Sequence, residues 1–166
     1  MKLLLIRHGQ AGKQNLKRYP DDDLRPLTAK GRKLSKHALG SLTDFIPNPH
    51  LILTSPALRC LQTAKLVAQG FHLDSKNIRE IPELHHSIPA PTALAKLSRM
   101  NLSGRLVIVG HEPWLGELVT LLIAGTGRAG IEIGKGGAAY LTLESLKPGK
   151  GRLLWLLTQD QLTSIA

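Results

Sequence analysis

Short apolar runs alternate along this chain with longer segments in which apolar residues recur every third or fourth position, the two signatures of buried strands and one-sided helices. Residues 2–6 are a strand-like run, followed by a polar stretch through Asp23 that has no period and reads as a loop. Thr28 can cap a helix whose apolar positions Leu34, Ala38, Leu42 and Phe45 fall at helical spacing, ending before Pro47. Residues 51–54 predict a second strand. Ser55 and Pro56 then supply a cap and a first-turn proline for a helix running through Leu58, Leu61 and Ala64 to Gly70. A third strand is expected over 79–84 and a short helix over 92–100. Residues 106–109 form a β-branched strand bounded by Gly104 and Gly110, and Leu115, Leu118, Val119 and Leu122 continue as a helix. The tail differs: 138–143 and 153–157, joined by the turn-forming segment 147–151, read as adjacent antiparallel strands.

Alternation of strands and helices predicts an α/β fold, a single-domain α/β/α sandwich over 1–166 with a mostly parallel central sheet and an antiparallel C-terminal strand. No repeat interrupts it, and no linker is long enough to separate domains. In such sheets ligands sit outside the carboxyl ends of the strands. Those ends carry Arg7-His8-Gly9 after the first strand, Ser55-Pro56 with Arg59 after the second, and Gly110-His111-Glu112-Pro113 after the run at 106–109.

Composition narrows the partners. Lys and Arg number 22 against 12 Asp and Glu, a net +10, which attracts anions such as nucleic acid, an acidic protein or phosphorylated metabolites. Aromatic residues are only 4%, too few for the stacking platforms of single-strand binders, so nucleic acid is disfavoured. A solvated basic surface explains the charge as well as partner choice does. The lone Cys60 cannot pair within the chain, and the N-terminal apolar run is too short for a signal-peptide core, so a cytoplasmic location is expected. No apolar stretch is long enough to span a bilayer as a helix.

Arg7-His8-Gly9 alone is a weak signal; its company strengthens it. Arg59 falls in the first turn of its helix and His111 just before another helix, where free backbone N–H groups and the helix dipole favour an anion. Two arginines, two histidines and two helix N-termini describe a phosphate pocket, for which the arginine fork is suited because it pairs bidentately and stays charged.

Arg7-His8-Gly9, then Ser55-Pro56-Ala57-Leu58-Arg59-Cys60-Leu61-Gln62-Thr63-Ala64, then Gly110-His111 resemble in order the three hallmarks of the phosphoglycerate mutase-like histidine phosphatase superfamily. Arg25-Pro26-Leu27-Thr28-Ala29-Lys30-Gly31 further resembles a segment of its compact SixA-type phosphohistidine phosphatases. The resemblance implies a phosphatase without metal or cofactor, in which His8 attacks phosphorus to form a phosphohistidine that water hydrolyses, with Arg7, Arg59 and His111 on the phosphoryl oxygens. A nucleophilic imidazole must be neutral, and the nearby guanidinium groups are expected to lower the pKa of His8.

Many members carry a carboxylic acid after the third strand, often as Leu-x-Glu, to protonate an alkoxide leaving group. Here that position reads Leu84-His85-His86, with Glu83 next door as the candidate acid if the register differs. Lack of the acid favours phosphohistidine, whose imidazole leaves readily, over a phosphate ester. The expected substrate is a phosphorylated protein, for example an acidic histidine phosphotransfer domain of a signalling relay. A small-molecule phosphomonoesterase or mutase is the alternative within the family, and a basic module that docks phosphate without turnover is the alternative outside it.

The remaining polar residues are ambiguous. Gln10 and Arg25 are candidate substrate contacts, with a structural hydrogen bond and a surface charge as their plain readings, and Lys13 and Lys17 share the latter. Asp21, Asp22 and Asp23 could attract a cation but read better as an exposed loop. His85 and His86 lack a cysteine or a second histidine at helical spacing, so no zinc site is expected. Cys60 should be a buried structural thiol, and Gly134, Gly136 and Gly137 a turn.

Overall fold

The computed structural model describes residues 1–15, 17–126 and 130–165. Six strands form one sheet: β1 (Lys2–Arg7), β2 (Leu51–Thr54), β3 (Ile78–Glu80), β4 (Arg105–Gly110), β5 (Ala138–Leu143) and β6 (Gly151–Leu157), in the order β3-β2-β4-β1-β5-β6. The pairings β3–β2, β2–β4 and β4–β1 are parallel; β5 runs antiparallel to both β1 and β6. Helices α1 (Ala29–Gly40), α2 (Leu58–Gly70), α3 (Ala90–Ser98), α4 (Trp114–Ala124) and α5 (Gln159–Ser164) cover it.

Both faces are covered because the side chains of each central strand alternate while staying apolar. Leu3 and Leu5 of β1 join Leu53, Leu106 and Ile108 against α3 and α4; Leu4 and Ile6 join Ile52, Val107 and Val109 against α1, α2 and α5. Burying each such side chain contributes about 1.5–3 kcal/mol. The α/β/α sandwich expected from the alternation is therefore present. No described helix is long and apolar enough to cross a membrane.

Four local expectations need correction. The third strand ends at Glu80, not 84: Pro82 has no N–H for the ladder, and Pro82–Leu84 turns as a 3-10 helix. The helix expected at 92–100 begins at Ala90, two residues earlier, because Pro91 fits a first turn whose N–H groups need no partner. α1 stops at Gly40 and passes into a 3-10 turn, Ser41–Asp44, which changes the phase of the apolar stripe. Phe45, beyond that turn, is 39% exposed, and within α1 itself the buried face runs through Ser35, Ala38 and Leu39, leaving Leu34 half-buried. Finally, α2 begins at Leu58 with no side-chain cap; the Ser55 hydroxyl lies 3.4 Å from the Ala57 N–H and serves elsewhere.

Candidate active site

The sheet register brings three chain segments to one edge. Arg7 is opposite Gly110 and Thr54 opposite Val109. The ladder then runs one residue past each strand end, with His8 N–H donating to the Gly110 carbonyl at 3.1 Å and Ser55 N–H to the Val109 carbonyl at 3.1 Å. His8, Ser55 and His111 therefore leave the sheet as neighbours. Behind them the glycine turn closes on β1: Arg7 N–H donates to the Gly137 carbonyl and Gly136 N–H to the His8 carbonyl, each at 3.2 Å. A Cβ on Gly136, whose φ is +71°, would strike the Gln159 side chain. The turn expected there exists and belongs to the site's frame.

His8 is 8% exposed and His111 3%, with ring centroids 5.3 Å apart. His8 Nδ1 lies 2.8 Å from the Gly9 carbonyl, which can only accept; Nδ1 thus carries the proton and Nε2 keeps its lone pair. Burial, with smaller contributions from Arg59, Arg7 and Arg25, outweighs the Gly9 hydrogen bond and lowers the His8 pKa to about 4. The direction is the expected one, although the larger cause is desolvation rather than the guanidinium charges.

His111 is held at both nitrogens. Nε2 lies 2.8 Å from the Ser55 hydroxyl, and the Arg59 guanidinium approaches Nδ1 at 3.4 Å, so the neutral ring donates from Nε2 and accepts at Nδ1. Burial first, then Arg59, lowers its pKa to about 2. The Cys60 thiol, 3.4 Å from the same Nε2, is fully buried and pushed up to about 12 by desolvation, which makes it the structural thiol expected.

The two guanidinium groups are anchored by different loops. Arg59, 4% exposed, donates to the Asp22 carbonyl at 2.7 Å and pairs with the Asp22 carboxylate at 3.2 Å. Arg7 donates to the Ile133 carbonyl at 2.9 Å and lies 3.5 Å from Glu132. Each keeps a buried Nε–H without an acceptor, a condition an incoming oxyanion relieves.

Other members of the three motifs hold the frame. Thr63 accepts from Gly9 N–H at 3.2 Å and donates to the Arg59 carbonyl at 2.8 Å, while Gln62 accepts from Leu27 N–H at 2.8 Å. Gly9 and Gly31 let the loop after β1 pass close to α1: a Cβ on Gly9 would meet Ser35 Oγ, and one on Gly31 the Gln10 carbonyl. Among the described residues the hollow beside α1, lined by Lys33, Leu34 and His37, gathers no comparable set.

Of the expected site residues, His8, Arg7, Arg59 and His111 are brought together. Arg25 is anchored, donating to both Asp22 carboxylate oxygens at 2.8 and 2.9 Å and to the Gly12 carbonyl at 2.8 Å. Gln10 works through its backbone carbonyl, which accepts from Thr28 N–H at 2.9 Å, and its side chain is exposed. Glu83 pairs with Lys96 at 3.4 Å and forms no ion pair with Arg59 or either site histidine among the described residues. The rings facing the cluster are those expected to be idle: His86 stands 5.2 Å and His85 6.4 Å from His111, centroid to centroid.

Sequence reasoning missed Asp22, which joins Arg25 to Arg59 and whose carboxyl the Arg25 hydrogen bond holds below its usual range. It also missed Glu112, which accepts from Ile133 N–H at 2.8 Å and Gly116 N–H at 3.3 Å and so fixes the carbonyl that Arg7 uses. Asp22 lay in view within an acidic triplet, but nothing in the chain paired it with Arg59.

The profile of the histidine phosphatase superfamily, branch 1, matches residues 3–88, just over half of the chain. An uncharacterized protein of Picosynechococcus sp. is 32% identical over 175 residues, covering 97% of this chain and 98% of that one. The structure of the protein histidine phosphatase SixA complexed with tungstate superposes with a TM-score of 0.79 at 26% identity, over 98% of this chain and 99% of that one. A putative alpha-ribazole-5'-P phosphatase from Escherichia coli gives 0.73 at 22% identity over 96% and 97%, a likeness of fold.

Proposed function

Because the chain belongs to the histidine phosphatase superfamily, branch 1, and is by that membership a phosphatase, we propose that His8 is its nucleophile and phosphohistidine its substrate. The observation that carries the reading is the neutral His8 ring, whose Nδ1 is committed to the Gly9 carbonyl and whose Nε2 lone pair stays available beside Arg7 and Arg59. Nε2 attacks phosphorus, the N–P or O–P bond of the substrate breaks, and the leaving group takes a proton. Water then hydrolyses the phosphohistidine, returning Nε2 and releasing phosphate.

Arg7, Arg59 and His111 stabilise charge on the equatorial oxygens throughout. A dianion between them favours the protonated form of His111, so the ring held neutral by burial gains a second N–H, at Nδ1, when the phosphoryl group arrives. Tungstate, an oxyanion of phosphate shape, accompanies the SixA structure similar to this one, which supports reading the crevice as an oxyanion site.

The substrate class follows from the leaving group. Glu83, the candidate acid, is paired with Lys96, and the Leu84-His85-His86 position holds no carboxylate. An alkoxide needs a positioned acid; an imidazole leaves readily once protonated by solvent. The +10 charge suits an acidic phosphotransfer protein as the carrier, and a cytoplasmic location belongs to the same proposal. The fold likeness to an alpha-ribazole-5'-P phosphatase supports the second reading, a phosphomonoesterase. Rates on a phosphohistidine protein and on p-nitrophenyl phosphate separate the two: a higher kcat/KM on the first is expected, and a preference for the ester would reject the phosphohistidine assignment.

A further inference from the structure

Asp23, on the long loop between β1 and α1, and His85 and His86, on the loop after β3, lie far apart in sequence but meet at the rim of the crevice. One donor atom from each lies within 4.8 Å of the other two. We propose that these three side chains form a binding site for a divalent transition metal of the zinc class, a site the sequence spacing did not predict because one ligand comes from another loop.

Two imidazoles and a carboxylate are a donor set that zinc takes, and three protein ligands leave the fourth position to water or an anion. The cluster is poorly satisfied without an ion. His85 Nε2 lies at ion-pair distance, 2.9 Å, from Asp23 Oδ2 yet forms no hydrogen bond, and Asp23 Oδ1, on the same carboxylate, is a second buried polar atom without one. The His85 ring is also oriented from behind, its Nδ1 lying 2.6 Å from Ser87 Oγ. A proton on Nδ1 donated to that hydroxyl leaves the Nε2 lone pair for a metal, the usual arrangement of an orienting hydrogen bond behind a ligating histidine. Ser87 N–H, 3.2 Å from the same Nδ1, favours the opposite tautomer until an ion moves the proton.

Donors on a tetrahedral ion at about 2.0–2.1 Å sit roughly 3.3 Å from one another. The required closure is therefore small, and His86, which is exposed, can supply it by rotation. Arg59 opposes a cation here, while the Asp22 and Asp23 carboxylates offset it. An ion so placed would tie together the two loops that flank His111.

The test uses the untagged full chain and Co2+ as the probe, read by visible absorption. Strong tetrahedral bands at one equivalent, displaced by Zn2+, are expected, with affinity falling about tenfold or more in His86→Asn and in Asp23→Asn. His8→Ala should bind Co2+ as the parent does. Absence of the bands in the parent, unchanged affinity in both loop variants, or loss of binding in His8→Ala would overturn the site. None of these readouts depends on turnover, so failure of this proposal and failure of the phosphatase reading are distinct.

Discussion

The crevice at the ends of β1, β2 and β4 and the hairpin of β5 and β6 are built on the same sheet by opposite rules. In the hairpin, groups are satisfied locally. Tyr140 stacks on Trp155 with centroids 5.4 Å apart, Phe45 packs on the same indole at 5.8 Å, and Thr158 and Gln161 close a capping box at the start of α5. In the crevice, two histidines and an arginine are buried, and the four buried side-chain atoms without a partner among the described residues belong to Arg7, Asp23, Arg59 and His85. Local rules are broken where a ligand must be met and kept where only packing is needed.

Removal of the nucleophile separates the two regions most strongly. His8→Ala should lower kcat by about ten-thousand-fold or more while thermal unfolding stays within a few degrees of the parent. Retained turnover would remove the crevice's special standing. Arg59→Ala should lower kcat by about a hundred- to thousandfold, and Arg59→Lys should restore little, because a point charge cannot replace the fork. Steady-state kinetics on the two variants checks both.

Asp22→Asn probes positioning rather than chemistry. It keeps the shape but weakens the ion pairs to Arg25 and Arg59, so a loss of roughly tenfold in kcat/KM is expected. In the hairpin, Trp155→Ala should cost about 2 kcal/mol in urea unfolding through loss of two aromatic contacts, with kcat changed less than twofold. A large loss of activity there would erase the contrast between the regions.

The smallest effect concerns pH. His8 and His111 have folded pKa values lowered from 6.5 to about 4 and about 2, so the unfolded chain binds more protons than the native one below pH 6.5. Their contribution to stability is complete above pH 6.5 and is lost as pH falls through the window down to those values. Activity should hardly change from pH 7 to 5, with the nucleophile's acid limb near pH 4 rather than 6.5. A kcat/KM profile halved already at pH 6.5 would contradict the buried neutral imidazole.

Strand positions, the antiparallel pairing of β5 with β6 and the four residues converging at the crevice were legible because period and motif spacing are local. Less legible were features decided by distant partners. Pro82 ends β3 by chemistry visible in the chain, yet nothing in the sequence reveals that Ser55 serves His111 instead of capping α2. Asp22 and Asp23 read as one exposed acidic run, but the fold sends Asp22 to the arginines and Asp23 to His85. Glu112 beside His111 passed unnoticed because its partner, Ile133 N–H, lies on a separate loop.

Whether phosphorus passes through Nε2 of His8 is decided by rapid quenching of a reaction with radiolabelled phosphohistidine protein. A label bound to the chain, stable in base, labile in acid and absent from His8→Ala is the predicted result. Turnover in the parent with no such label within the dead time of an instrument that resolves single turnovers, or a label that persists in His8→Ala, would contradict it.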